Sequence, residues 1–330
     1  MAKFDNRVFG CVVVKAINSN YNADFSGQPR TLPSGIVYAS DKALKYATRN
    51  YMRDVFPKET IFYFKTYNQQ INPLSMDEAY IKYFGDFPIV KIKKEKKGKK
   101  EESETENVDK CALAKNLLSC IDIRLFGATF ACSVHKTLNV NLSLHGPVQV
   151  NHGVNIWSEN NIFTEQMMSP FRNKDEKQDT EKEMTTIGRQ SKLEEGHYLH
   201  HFSINPHNLD DIVNLVGEDA KTISVNDIEK LKEAMKYGVT WYDSASKVGS
   251  ENEMLIWVQL KKESKAVLPN MTSLIKLLPQ KENGKYIYDL ELLSKKLSVL
   301  SDDIEFVEVF YNKEAICLRN IPEGTKEIDL

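Results

Sequence analysis

An α+β fold is predicted for this chain by three observations. Short apolar runs rich in β-branched residues interleave with amphipathic stretches of helical period. No self-similarity at a fixed period is visible. With 330 residues, 41% of them hydrophobic and 27% charged, the chain can bury a substantial core, as one elaborated domain or two ordinary ones.

The first unit reads as strand, long polar loop, basic helix. RVFGCVVVKAI (residues 7–17) is apolar almost throughout, as a strand covered on both faces would be. NSNYNADFSGQPRTLPSG (18–35) is a loop by its Asn, Gly and Pro content. DKALKYATRNYMR (41–53) is helical: at about 100° per residue, Lys42, Lys45, Arg49 and Arg53 fall within a sector of roughly 80°, opposite Leu44, Ala47 and Tyr51. The helix should end near Phe56, because Pro57 follows. No acid stands between Lys42 and Arg53, so the face is either a solvated surface or a rail for a polyanion.

TIFYFKTY (60–67) reads as a strand, and SMDEAYIKYFG as a helix with Ser75 and Glu78 at capping-box spacing and Gly85 at its close. Residues 91–110 swing from a lysine run to a cluster of acids, predicting a disordered charged insertion loop. The polar stretch 169–196 reads as a projecting hairpin or arm. HYLHHFSINP is a strand, SVNDIEKLKEAMKYG a helix capped by Ser224 with Gly238 beyond its end, and EMLIWVQL a strand. IEFVEVFYNKEAICLR predicts a last hairpin turning at residues 312–314.

A net charge of -2 carries no sign of nucleic acid, so any binding stripe must be local. Cys11, Cys111, Cys120, Cys132 and Cys317 are odd in number and form no C-x-x-C pair, which suits buried thiols in a reducing compartment. No secretory leader or membrane-spanning run is visible, and a cytoplasmic protein with no membrane contact is expected. Phosphate-loop, dinucleotide, nucleophile-elbow and H-E-x-x-H motifs do not occur, so the commonest nucleotide, hydrolase and metalloprotease sites are unsupported, and no cofactor or metal is expected. His197, His200, His201 and His207 cluster, but on a strand, and are read as partly exposed rather than as metal ligands. Asp24 in the long loop could act as general base on a 2'-hydroxyl, or satisfy the amides of a turn.

Four stretches carry a family resemblance: PRTLPSGIVYASDKALKYATRNYM, DIRLFGATFA (122–131), GPVQVNHGVNI (146–156) and SASKVGSENEMLIWV (244–258). Together, in this order, they resemble the CRISPR-associated Cascade backbone family, the seventh core Cas protein, most closely its subtype I-B branch. The resemblance implies an RRM-like (ferredoxin-like) palm with finger and thumb insertions. The palm would take residues 1–60, 141–160 and 197–330, the finger insertion 61–140 with its charged loop, and the thumb hairpin 161–196. It further implies a non-catalytic subunit that oligomerises as a helical filament along CRISPR RNA, meeting target DNA through the guide, copies of itself and other Cascade subunits. In that family, basic residues of the first helix and preceding loop grip the RNA backbone, which carries over to Arg30, Lys45 and Arg49. Lys42 and Arg53 follow by helical geometry, the ridge spanning about 16 Å.

Asn18, Asn20 and Asn22 suit phosphates and 2'-hydroxyls, or plain turn chemistry. Gln149, Asn151 and His152 lie beside glycines that permit close backbone approach, and Lys247 beside Gly249 could meet a phosphate. No K/R-G-F/Y-G/A-F-V-x-F/Y string occurs, so backbone gripping is expected rather than base stacking on sheet aromatics. Two rivals stand beside this reading: an RNA-cleaving backbone subunit using Asp24, and a protein-binding regulator or scaffold.

Overall fold

The computed structural model describes residues 2–95, 102–134, 138–168, 186–217 and 219–330. Strand β1 (Val8–Ser19) is its axis. Val8, Val12, Val14 and Ala16 pack into one core layer, while Phe9, Cys11 and Val13 pack into another on the opposite face. The unbroken apolar run follows from that double burial. β2 (Tyr38–Ala39) leads into α1 (Asp41–Val55), which buries Leu44, Ala47 and Tyr51 and ends at Phe56 as Pro57 requires.

The next segment builds a second core. Residues 60–67, expected as a strand, form none: the amides of Phe62 and Tyr63 each donate over 2.9 Å to the carboxylate of Asp122 instead of to a neighbouring strand. α2 (Met76–Phe84) opens with Glu78 accepting from the Ser75 amide at 2.9 Å and closes at Gly85, φ +79°. β3 (Ile89–Glu95) and β4 (Glu102–Val108) pair as an antiparallel hairpin, which corrects the expected disordered loop over 91–110; residues 96–101 lie outside the described ones. Register sets Lys91 opposite Glu106, an oppositely charged cross-strand pair. α3 (Lys110–Leu118), α4 (Ile121–Phe126), β5 (Gly127–Val134) and β6 (Leu138–His145) complete the unit around Phe62, Tyr80, Leu117 and Phe130. β6 runs through His145, so the boundary expected at residue 140 falls inside a strand.

β7 (Val148–Val150), β8 (Gly153–Asn155) and β9 (Ile162–Met168) all pair with the long β10 (Thr186–Ile204). β9 pairs with the first part of β10, and residues 169–185 of the arm expected over 169–196 lie outside the described ones. After α5 (Asp210–Val216), α6 (Val225–Trp241) runs past Gly238, where the sequence predicted its end. A Cβ at Gly238 would stand 3.1 Å from the Ala47 carbonyl oxygen, so this glycine serves the close packing of α6 on α1. β11 (Ser250–Leu260) then joins the sheet on the free edge of β1.

β12 (Lys276–Leu277), β13 (Tyr286–Asp289), α7 (Glu291–Ser298), β14 (Ile304–Tyr311), β15 (Ile316–Arg319) and β16 (Thr325–Asp329) finish the chain. β14 and β15 do not form the expected hairpin: β14 pairs with β11 and β16, while β15 pairs in parallel with β13. The turn at 312–315 instead hands the chain from the central sheet to a small one that covers its second face. Among the described residues the main sheet runs β16-β14-β11-β1-β10-β8-β2, with α1 and α6 on one side. No described helix is long and apolar enough to cross a membrane.

Two buried polar contacts fix this arrangement. Arg124 on α4 meets Asp227 on α6 bidentately (3.2 and 2.8 Å) and donates to the carbonyls of Leu118 and Ser119. Both ion-pair partners are buried, so Arg124→Met, which strands Asp227 without its cation, is expected to cost about 3–5 kcal/mol in a denaturant titration. His200 on β10 is buried against Gly153, its Nδ1 3.0 Å from the Asn151 carbonyl, and burial depresses its pKa to about 4. The folded state thus prefers the neutral ring. Stability should be full above about pH 6.5 and fall as pH drops towards 4, and His200→Gln should flatten that window in a pH series of unfolding midpoints.

Candidate nucleic-acid interface

α1 begins at Ser40, whose amide and hydroxyl both donate to Asn22 Oδ1, at 2.9 and 3.0 Å. The long loop is thereby tied to the first turn of the helix. Facing α1 stands the α4–β5 segment, and between them runs an open groove of about 540 Å³. Lys42, Lys45, Tyr46 and Arg49 line one wall; Phe126, Thr129, Ser143, His145 and Gln149 line the other. Gly127 and Gly146 also line it, and their backbones pack closely on one another. A Cβ on Gly127, φ +73°, would lie 2.2 Å from the Leu144 carbonyl oxygen, and one on Gly146 would lie 2.1 Å from the Gly127 nitrogen. Two of the stretches that carry the family resemblance therefore meet at this pair of glycines.

The expected ridge of four cations is largely compensated by acids. Lys45 Nζ lies 3.1 Å from Asp41 Oδ2, and Arg53 Nη2 lies 2.7 Å from Asp54 Oδ1. Arg49 Nε bonds to Asp122 at 3.1 Å, and the guanidinium lies 5.0 Å from the Phe126 ring centroid. Since Asp122 is fully buried, Arg49 is first a strut joining α1 to α4 and only then a wall of the groove. Arg53 leans over the Phe64 ring at 4.1 Å, beyond the groove lining. Lys42 is exposed and, among the described residues, has no salt bridge.

The other candidates divide sharply. Asn18 is exposed in the left-handed region, φ 47°, and Asn151 is exposed with its Oδ1 accepting from the His152 amide. His152 is exposed beside Tyr38, its Nδ1 accepting from the Asp41 amide at 3.4 Å, so it sits at the start of α1. Gln149 lines the groove and donates to the Gly146 carbonyl at 2.7 Å. Arg30 donates from Nε to the Ala23 carbonyl and holds its guanidinium beside Phe25.

Asn20 and Lys247, by contrast, point inward. Asn20 is buried, and its amide bridges the carbonyls of Gly27 and Ser191. Lys247 donates to the Tyr21 carbonyl, and burial lowers its pKa to about 8. Polar type alone did not reveal direction.

Asp24 Oδ1 accepts from the Ser26 amide and hydroxyl and from the Gln28 amide at 2.7–3.0 Å. These bonds, the Ser26 hydroxyl foremost, hold its pKa below the usual carboxylate range. His197 and His200 are fully buried rather than partly exposed and face opposite sides of the sheet, His197 bonding Glu253 at 2.6 Å. Among the described residues no group of three or more His, Cys, Asp or Glu could hold a metal. Cys111 is exposed, against the expectation of buried thiols, while Cys11 and Cys120 are buried. Sequence reasoning did not single out Tyr63, Phe126, Thr129, Ser143 or His145, because only the folded chain brings β5 and β6 opposite α1.

No curated protein matches the chain significantly. Among solved structures, a chain of one described as "CRISPR RNA-guided surveillance complex, pre-nicking" aligns with a TM-score of 0.51 at 9% identity, covering 98% of this chain and 96% of that one. A chain of another, "CRISPR RNA-guided surveillance complex", aligns with a TM-score of 0.48 at 11% identity, covering 96% and 95%. The model of the family described as CRISPR-associated protein Cas7 matches residues 6–293. That match spans most of the sequence, and with it the chain belongs to the CRISPR-associated Cas7 family.

Proposed function

We propose that this chain is a CRISPR RNA-binding backbone subunit of a Cascade surveillance complex, several copies polymerising along one guide that pairs with target DNA. The observation that carries the reading is the lysine-lined groove between α1 and β5, in a chain whose family match covers residues 6–293. A groove with cations on one wall meets phosphates and sugars rather than base edges, which suits a carrier of many different guides. Partial compensation by Asp41 keeps each grip weak, and the grips add when neighbouring copies share one strand.

The core β11-β1-β10-β8, with α1 and α6 on one face, has the strand order of a ferredoxin-like βαββαβ unit, which supports an RRM-like palm. The unit of α2 to β6 takes the place of the finger and the β9–β10 arm that of the thumb. The four quoted stretches support the subtype I-B branch. Other Cascade subunits are the expected neighbours, in the cytoplasm.

The chain is proposed to bind without cutting. Asp24 is engaged as the acceptor of a turn, a role that supports structure rather than proton transfer. Incubating the assembled complex with complementary RNA and a divalent cation should leave that RNA intact; regularly spaced cleavage abolished by Asp24→Asn would favour the enzymatic reading. For the groove, Lys42→Ala with Lys45→Ala should weaken short single-stranded RNA and lower the slope of log K against log salt by about 1.4, at ~0.7 per phosphate contact. An unchanged slope would remove α1 from the interface.

A further inference from the structure

Phe25 is fully exposed, at 105% of its reference area, the most exposed large apolar side chain among the described residues. A lone apolar side chain on a loose loop calls for no explanation. This one stands on a pinned turn. Asp24 donates from its amide to the Gln28 carbonyl at 2.8 Å, and its carboxylate takes the amides of Ser26 and Gln28. Gly27 supplies the left-handed residue, φ +83°, and Asn20 holds its carbonyl from beneath at 3.1 Å.

The turn is also placed. Asn22, three residues before Phe25, ties the turn to Ser40, which directly precedes Asp41 and Lys42 at the groove. Arg30 stands with its guanidinium carbon 6.0 Å from the ring centroid. Its Nε is spent on the Ala23 carbonyl, and its terminal nitrogens have no hydrogen-bond partner among the described residues.

We infer that Phe25 is a stacking platform for one base of the single strand held in the groove, with Arg30 meeting the adjoining phosphate. The inference rests on the RNA-carrying reading above and adds a base contact to it. A rigid aromatic face beside a cation is the combination that single strands use, because bases stack while phosphates meet charge. The ring's sequence neighbours Asp24, Ser26 and Gln28 are polar, whereas a knob that docks into a protein pocket is served by an apolar surround. Since every base has a π-face, the contact remains indifferent to guide sequence. Pre-organisation removes most of the ordering cost.

The test uses the full-length chain and a fluorescent single-stranded RNA short enough for one copy. Phe25→Ala and Phe25→Leu should each weaken binding roughly tenfold, with the salt slope and thermal midpoint unchanged. Phe25→Trp should bind like the parent, and its fluorescence should be quenched by the RNA. Parental affinity in Phe25→Ala would overturn the stacking role and leave the groove reading standing. Loss of RNA-free self-association in Phe25→Ala, with short-RNA affinity intact, would mark a protein contact and also overturn it. A parent chain that binds no RNA would overturn both.

Discussion

The groove exists because one short helix is held from two sides. α4 buries all six of its residues, including Asp122 and Arg124, and neither charge has a route to water. Each is therefore tolerable only with its partner in place. Asp122 faces Arg49 on α1, and Arg124 faces Asp227 on α6. β5 starts at Gly127, directly after α4, so the same contacts that satisfy the two charges set the distance between the walls. The geometry of the candidate interface is a by-product of solving a desolvation problem.

That origin changes how the basic ridge is understood. A row of cations on a helix suggests a sticky surface, yet here Asp41, Asp54 and Asp122 take up much of the charge. What remains toward the groove is Lys42 together with the half-engaged Lys45. A weakly positive groove discriminates against casual polyanions while still responding to a strand that many copies hold at once.

Much of the frame was legible in the sequence. The β1 run announced a strand buried on both sides, and the spacing of Leu44, Ala47 and Tyr51 gave the inner face of α1. Misreadings arose where a distant partner decides. Aromatic alternation at 60–67 imitated a strand because nothing local shows Asp122 taking its amides. Gly238 looked like a helix end although its role is to admit α1. Residues 91–95 looked unfoldable until pairing with 102–106 made them a strand. Among site residues, type was legible and orientation was not: Asn20 and Lys247 are polar residues that serve the interior.

The central sheet, covered by helices on one face and by the C-terminal layer on the other, leaves its strand ends as the places where the chain can lengthen. The chain makes two long excursions from this core, one between α1 and β7 and one along β9 and β10. The sheet thus behaves as a chassis. The first excursion is anchored back to the frame through Asp122–Arg49 and Arg124–Asp227, so accessories of differing size can be exchanged beyond α4 as long as those two buried pairs are kept.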